Sequence, residues 1–146
     1  MVDPARALAS WTELETCLAN VFEIAIRGEQ WLGIVHRSRR PGVEPVKVKV
    51  EATVALERSH VAITAPVFAL AMLPPTTALA INHALELGAL ELEGTQYMLR
   101  ATLPLAGLEA ATLRATILHV ARQAMHMVGM TSVPAQAVEA FVHYAE

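Results

Sequence analysis

The sequence predicts an α+β domain: an antiparallel sheet of five to six strands with helices packed on one face. Two observations carry this prediction. In the stretch from Val46 to Leu56, apolar and polar residues alternate as far as Val54, which is the pattern of a strand with one dry and one wet side. Near both ends of the chain, apolar residues instead recur at helical spacings of three and four, as in Leu14 and Leu18. Because a sheet that is apolar on one face must be covered there, we expect the first and last long helices to cover it.

The first element is an amphipathic helix that begins at Asp3 and Pro4 and ends near Asn20. A strand follows, in which Phe22, Ile24 and Ile26 alternate with polar or small residues. The turn at 27–30 then leads to a second strand, Trp31 to His36, which is apolar on both faces. This second strand therefore reads as a central strand, or as one whose outer face is covered.

The middle of the chain is read as a loop and a hairpin. The loop runs from Ser38 to Pro45. The strand from Val46 to Leu56 places valines on one face and Lys47 and Lys49 on the other. A turn at 57–59 returns the chain into a further strand, Val61 to Val67. Pro66 lies within this strand and is expected to interrupt its hydrogen bonds, because proline has no backbone N–H.

The second half reads as helix, hairpin, helix. Pro74 and Pro75 begin a short helix, and Gly88 stands where the chain needs a residue free to take positive φ. A hairpin follows, with its turn at 94–96. In its first strand Leu90 and Leu92 alternate with Glu91 and Glu93, which are expected to form a solvated face at a sheet edge. In its second strand Tyr97, Leu99, Ala101 and Leu103 alternate with Met98, Arg100 and Thr102. A long helix starts near Leu108. Its apolar row comprises Leu113, Ile117, Val120, Ala124 and Val128. Pro134 is expected to begin a C-terminal helix at about 133–145.

The second half contains a distinctive pattern of core and turn residues. It has Asn82 within the short helix, then the runs 88–94 and 97–105, and Leu108-Glu109 at the start of the long helix. In these residues the chain resembles the type III secretion chaperone-like superfamily, which includes dimeric chaperones of secreted effectors and proteins described as bacterial sensory transduction regulators. The first half agrees with it only in the order of its elements, and the C-terminal helix is a departure from the family pattern.

The resemblance implies a non-enzymatic, homodimeric protein-binding module that holds an extended segment of a client protein. It also implies a dimer interface around the short helix, for which the candidate residues are Ala78, Leu79, Ile81, Asn82 and Leu85. An alternative is a regulatory or assembly subunit of the same fold that has no secreted client. A small metal enzyme or hydrolase is the alternative from another class.

Length, composition and charge limit the functions that the sequence can support. A length of 146 residues fits one domain, and the 54% of hydrophobic residues exceeds the ordinary range, so an apolar surface covered by a partner or a second copy is expected. The longest apolar run ends at Leu73 and is too short to span a membrane, and the first residues do not form a signal peptide, so a cytoplasmic location is expected. A net charge of −3 gives no general attraction to nucleic acid.

No pattern predicts a catalytic site, a metal site or a cofactor. Cys17 is the single cysteine, which excludes a disulfide within the chain, and it is expected to be a buried structural thiol. His119 and His126 lie seven residues apart on the long helix, on a face that also carries Thr112 and Gln123 and is expected to be solvated. The common nucleophile and phosphate-binding motifs are absent from the sequence.

The predicted partner site lies on the second strand and the loop after it. Trp31, Ile34 and Val35 are expected to contribute apolar contacts, because this strand has apolar residues on both faces. A basic rim of Arg37, Arg39 and Arg40, joined by Lys47 and Lys49 on the polar face of the next strand, is expected to attract an acidic stretch of the partner.

Overall fold

The computed structural model describes residues 10–129 and confirms the α+β prediction. Three α-helices and six strands follow one another, with a single turn of 3₁₀ helix (Leu70–Met72) before the second helix. In chain order they are α1 (Trp11–Ala19), β1 (Glu23–Gly28), β2 (Trp31–His36), β3 (Val46–Ala55), β4 (Arg58–Ala69), α2 (Pro75–Ala84), β5 (Ala89–Glu93), β6 (Gln96–Pro104) and α3 (Ala110–Val128). The predicted helix start at Asp3 and the predicted C-terminal helix lie outside the described residues. The expectation of one helix from there to Asn20 is wrong, because the backbone of Ser10 is extended and its hydroxyl accepts a hydrogen bond from the Glu13 amide, so that α1 begins at Trp11. No helix within residues 10–129 is long and apolar enough to cross a membrane.

All six strands form one antiparallel sheet in the order β1-β2-β3-β4-β6-β5. Four strands follow chain order, and then α2 carries the chain to the far edge. There β5 becomes the edge strand, and β6 returns between β4 and β5. The two edges of the sheet are therefore β1 and β5.

The core lies between one face of this sheet and the helices. α3 crosses β3, β4 and β6, and α1 contacts α3. The inward side chains of α3, such as Leu113 and Ile117, are fully buried, as are Val48, Ile63 and Leu99 from the strands beneath them. The period-two and period-3.6 patterns of the sequence thus meet in one apolar layer.

Strand β1 departs from simple alternation. A β-bulge between Ile24 and Ile26 shifts its register against β2, so that Ile24 pairs with Ile34 and Ile26 pairs with Gly33. The expectation that Ile26 shares a face with Ile24 is wrong, since the extra residue turns Ile26 to the opposite side of the sheet. There it is 56% exposed.

The β3–β4 hairpin turns at Leu56 and Glu57, one residue earlier than expected, and both residues have positive φ as in a type I′ turn. Strand β4 then runs through Pro66 without a break. Proline is tolerated because it lies past the last β3–β4 pair, Lys49 with Thr64, and beside a register shift against β6.

α2 is fixed to the edge strand by Asn82. Its side chain accepts a hydrogen bond from the Leu90 amide at 2.6 Å and donates one to the Leu90 carbonyl at 3.1 Å. These two backbone groups face away from β6 and would otherwise be open to another strand. Asn82 therefore closes part of the β5 edge.

The structure of α3 differs from its predicted apolar and polar faces at two positions. Val128 lies at the last residue of the helix and is 49% exposed. Gln123, which was expected on a solvated face, is 1% exposed, and its amide atoms have no hydrogen-bond partner. The helical pattern of apolar residues alone could not show that Gln123 is buried, because Gln123 flanks the apolar row, one turn from Val120.

Candidate functional site

The face of the sheet opposite the helices is left uncovered by the elements that the structure describes. We call this surface the open face. It forms a shallow groove of about 700 Å³ that extends from β1 to β5. The residues that line it are Ala25, Ile26, Trp31, Gly33, Ile34, Lys47, Val48, Lys49, Glu51, Thr64, Pro66, Glu91, Glu93, Met98 and Arg100. Of these, Ile34 and Val48 have side chains that are buried in the core.

Strands with short side chains alternate with strands that carry long ones across the groove. Gly33, Thr64 and Pro66 lie on β2 and β4, while longer side chains stand on β3 and β5. Strand pairing sets these positions: Gly33 is opposite Lys49, Lys49 is opposite Thr64, and Thr64 is opposite Arg100. Small residues between long ones leave room for a chain to lie on the sheet.

Trp31 forms the apolar end of the groove. The Trp31 indole lies over Gly28, the residue opposite it on β1, where a β-carbon would overlap the ring. Lys49 Nζ stands 5.4 Å from the centre of the ring, within the range of a cation–π contact. Next to it, the Ile26 side chain covers Gly33. Two glycines thus give Trp31 and Ile26 their place on the open face.

Charge is separated across the groove. Lys47 and Lys49 stand on β3, and Glu91 and Glu93 stand on β5. Two weak pairs offset part of this charge. Lys49 Nζ is 3.3 Å from a Glu51 carboxylate oxygen, and Arg100 Nε is 3.8 Å from a Glu91 carboxylate oxygen.

Of the two lysines on β3 and the two glutamates on β5, Lys47 and Glu93 lie outside these two pairs. Within residues 10–129 neither of them forms an ion pair, and both are exposed. The groove therefore presents one unpaired cation on its β3 side and one unpaired anion on its β5 side.

The predicted apolar contacts divide between the two faces of β2. Trp31 is half-buried and lines the groove, and Val35 is half-buried on the same face, opposite Lys47. Ile34 points into the core and is 1% exposed, so its side chain is not available to a partner. The physical reason is the period of the strand, which places neighbouring residues on opposite faces.

The predicted basic rim lies at one end of β2 and outside the groove. Arg37 forms a two-pronged hydrogen bond with Glu23, at 2.9 and 3.0 Å, that lowers the pKa of the Glu23 carboxyl and raises the pKa of Arg37. Arg37 is therefore already neutralised. Arg39 and Arg40 are exposed in the loop.

The five residues predicted for the dimer interface have different surroundings. Ala78 and Ile81 are buried in the core of their own chain, Asn82 is bonded to Leu90, and Leu85 is half-buried. Leu79 is 70% exposed on the outer side of α2. Of the five, it is the one that can contact another chain without rearrangement.

Burial shifts the pKa of three titratable groups outside the groove. Cys17 is buried, and burial raises the pKa of its thiol despite the nearby Arg114. Burial lowers the pKa of His126 and, together with Arg122, that of His36. Among residues 10–129, no three His, Cys, Asp or Glu side chains are grouped so as to hold a metal ion.

Sequence reasoning placed Lys47 and Lys49 on a wet face but did not join them to Glu91 and Glu93, which it read as a solvated edge. The missing information is strand order, since β6 pairs with β4 across the α2 connection. The alternation in β6 did assign Met98 and Arg100 to the outward side. Nothing in the sequence showed that this side faces the same groove as Trp31.

Three comparisons with known proteins complete this description. No protein-family model matches the chain, no curated protein matches it, and no solved structure matches it.

Proposed function

We propose that this protein is a non-enzymatic binding module that holds an extended segment of a partner protein in the groove of its open face. The observation that carries the proposal is the groove itself, about 700 Å³ in volume, with small residues on β2 and β4 and charged residues on β3 and β5. An uncovered sheet face of this kind suits a chain that lies on it better than a globular surface that would have to enter it.

The sheet edges are less suited to this role than the face. Asn82 occupies the outward backbone groups of Leu90 on β5, and a bulge distorts β1 between Ile24 and Ile26. Both features are ways in which proteins prevent a further strand from pairing at an edge. The partner segment is therefore held by side chains of the open face.

Trp31 is the principal anchor in this proposal. Tryptophan is the residue type most enriched among those that dominate binding energy, and here its ring is half-buried at one end of the groove. The resemblance to secretion chaperones, whose members hold extended client segments, agrees with the same assignment. On that resemblance we further propose a chaperone-like role in the cytoplasm.

The test starts with affinity purification from the source organism and mass spectrometry of the proteins that are bound. For the partner so identified, Trp31→Ala should raise Kd by about five- to thirty-fold, since loss of such an anchor costs about 1–2 kcal/mol. Binding is measured by isothermal titration calorimetry with purified proteins.

One variant and one measurement serve as controls for this experiment. Ala115→Ser, on the exposed side of α3, should leave Kd unchanged. Thermal unfolding of Trp31→Ala shows whether the sheet is intact. A folded Trp31→Ala protein that binds its partner as tightly as the native chain would refute the groove as the binding surface.

We also propose that the protein forms a homodimer through the outer surface of α2, where Leu79 is exposed. A specific interface buries about 800 Å² on each partner, and an unpaired charge at its centre is strongly unfavourable. Leu79→Glu should therefore convert a dimer into a monomer while the fold persists. Sedimentation velocity at tens of micromolar measures this.

The matched control is Ala80→Glu, which places the same charge on the neighbouring exposed position. It should leave the sedimentation coefficient of the native protein unchanged. A monomeric native chain at these concentrations, or a Leu79→Glu variant that remains dimeric, would contradict the proposal.

A further inference from the structure

The open face has a charge pattern that constrains the chemistry of its partner, and this inference rests on the proposed function. We propose that the groove selects an extended segment in which an acidic and a basic residue stand about four positions apart. The acid lies over Lys47 on β3, and the base lies over Glu93 on β5.

Of the charged residues that line the groove, these two are the ones without an ion-pair partner in the described part of the chain. Lys49 is beside Glu51, and Glu91 is beside Arg100, so each of these groups is partly neutralised. Lys47 and Glu93 are exposed and have no such neighbour. A ligand that carries one charge of each sign satisfies both, whereas a ligand with two like charges meets one repulsive contact.

The spacing follows from strand geometry. Strands β4 and β6 separate β3 from β5, so these two strands are three strand spacings apart, or about 14 Å. The paired row Lys49, Thr64, Arg100 and Ala89 shows that Glu93 also lies two residues, or about 7 Å, further along the strand direction than Lys47, so the two positions are about 16 Å apart. Four residue steps of an extended chain cover about 13 Å, and the acidic and basic side chains of the segment span the remainder. An even separation also directs both side chains to the same face of the segment, here toward the sheet.

The residue midway between the two charged ones is constrained as well. It lies over the middle of the groove, where Thr64, Pro66 and Met98 offer a small and mainly apolar surface. A third charge there would be desolvated without a partner. The expected pattern is thus acid, any residue, small apolar residue, any residue, base, and the segment can lie in either direction across the strands.

The probe is a set of three synthetic peptides with blocked ends. The first contains Glu-Thr-Val-Thr-Lys, and the two controls contain Glu-Thr-Val-Thr-Glu and Lys-Thr-Val-Thr-Lys in the same flanking sequence. Nuclear magnetic resonance titration of the isotope-labelled chain at low salt gives Kd and the amides that respond. The Glu/Lys peptide should bind about tenfold more tightly than either control and should shift the amides of Lys47, Thr64 and Glu93.

Charge reversal in the protein should switch this preference. Lys47→Glu should make the Lys/Lys peptide the tightest ligand, and Glu93→Lys should do the same for the Glu/Glu peptide. Glu86→Lys, an exposed charge change outside the groove, should preserve the native order. Either groove variant is sufficient, so misfolding of one does not end the test.

Equal binding of the three peptides to the native chain, no binding of any, or an unchanged order in both reversal variants would overturn the inference. These failures are distinct from failure of the proposed function. A natural partner that binds the native chain but loses affinity for the folded Trp31→Ala variant would preserve the groove as a binding site while the charge rule falls.

Discussion

Ile117→Asp should prevent the chain from folding. Ile117 is fully buried in the layer between α3 and the sheet, where α3 crosses β4. An unpaired carboxylate at this place loses its hydration, and together with the lost apolar contacts the cost approaches the 5–15 kcal/mol by which ordinary domains are stable. Far-ultraviolet circular dichroism and limited proteolysis should both report an unfolded chain at neutral pH.

The matched control is Ala115→Asp, two residues earlier on the exposed side of the same helix. It introduces the same charge and should lower the free energy of unfolding by no more than about 1 kcal/mol, the cost of helix propensity. His119→Ala should also have little effect. If Ile117→Asp folded cooperatively with native stability, the proposed arrangement of α3 over the sheet would be wrong.

Gly88→Ala should strongly destabilise the chain. Gly88 has φ of 78°, and a β-carbon at this position would lie 2.7 Å from the Arg100 carbonyl oxygen. That oxygen belongs to β6, which is paired on both sides and cannot retreat. The left-handed conformation costs about 1–2 kcal/mol and the steric overlap a further 1–3 kcal/mol, so we expect a loss of about 2–5 kcal/mol in urea unfolding.

Gly94→Ala separates these two causes. Gly94 also has positive φ, at 62°, but a β-carbon there meets no atom within 4 Å. It should therefore lose about 1–2 kcal/mol from backbone strain alone. If both alanine variants lost the same free energy, the close approach of Gly88 to β6 would have no energetic consequence.

The sequence predicted the elements that have a regular period. Strand β2 spans the residues expected for it, Trp31–His36, and α2 begins at Pro75 as proline chemistry indicates. The alternation in β6 correctly placed Tyr97, Leu99 and Ala101 inward. In each case a local rule and burial agree, so local information was sufficient.

Predictions failed where a single extra residue changes the register. The bulge in β1 moves Ile26 to the open face, and the turn at Leu56 begins earlier than the polar residues around it indicate. Positive φ at a leucine is unusual for its residue type, so propensity points elsewhere. Tertiary pairing of β3 with β4 determines that turn.

The candidate site was predicted in part. Trp31 and the lysines of β3 were assigned to a partner surface, but Ile34 was included although the strand period buries it. The acidic side of the groove requires knowledge that β5 lies beyond β6 and that both share a face with β3. That knowledge comes from long-range pairing, which a pattern of apolar residues does not encode.

The most direct test of the central claim is photocrosslinking in cells of the source organism. A benzoylphenylalanine replaces Ala25, which is exposed on the open face, or Ala115, on the exposed side of α3. We expect one partner protein to be crosslinked from position 25 through an extended segment and not from position 115. A partner crosslinked from position 115 and absent at position 25 would contradict the groove as the binding surface.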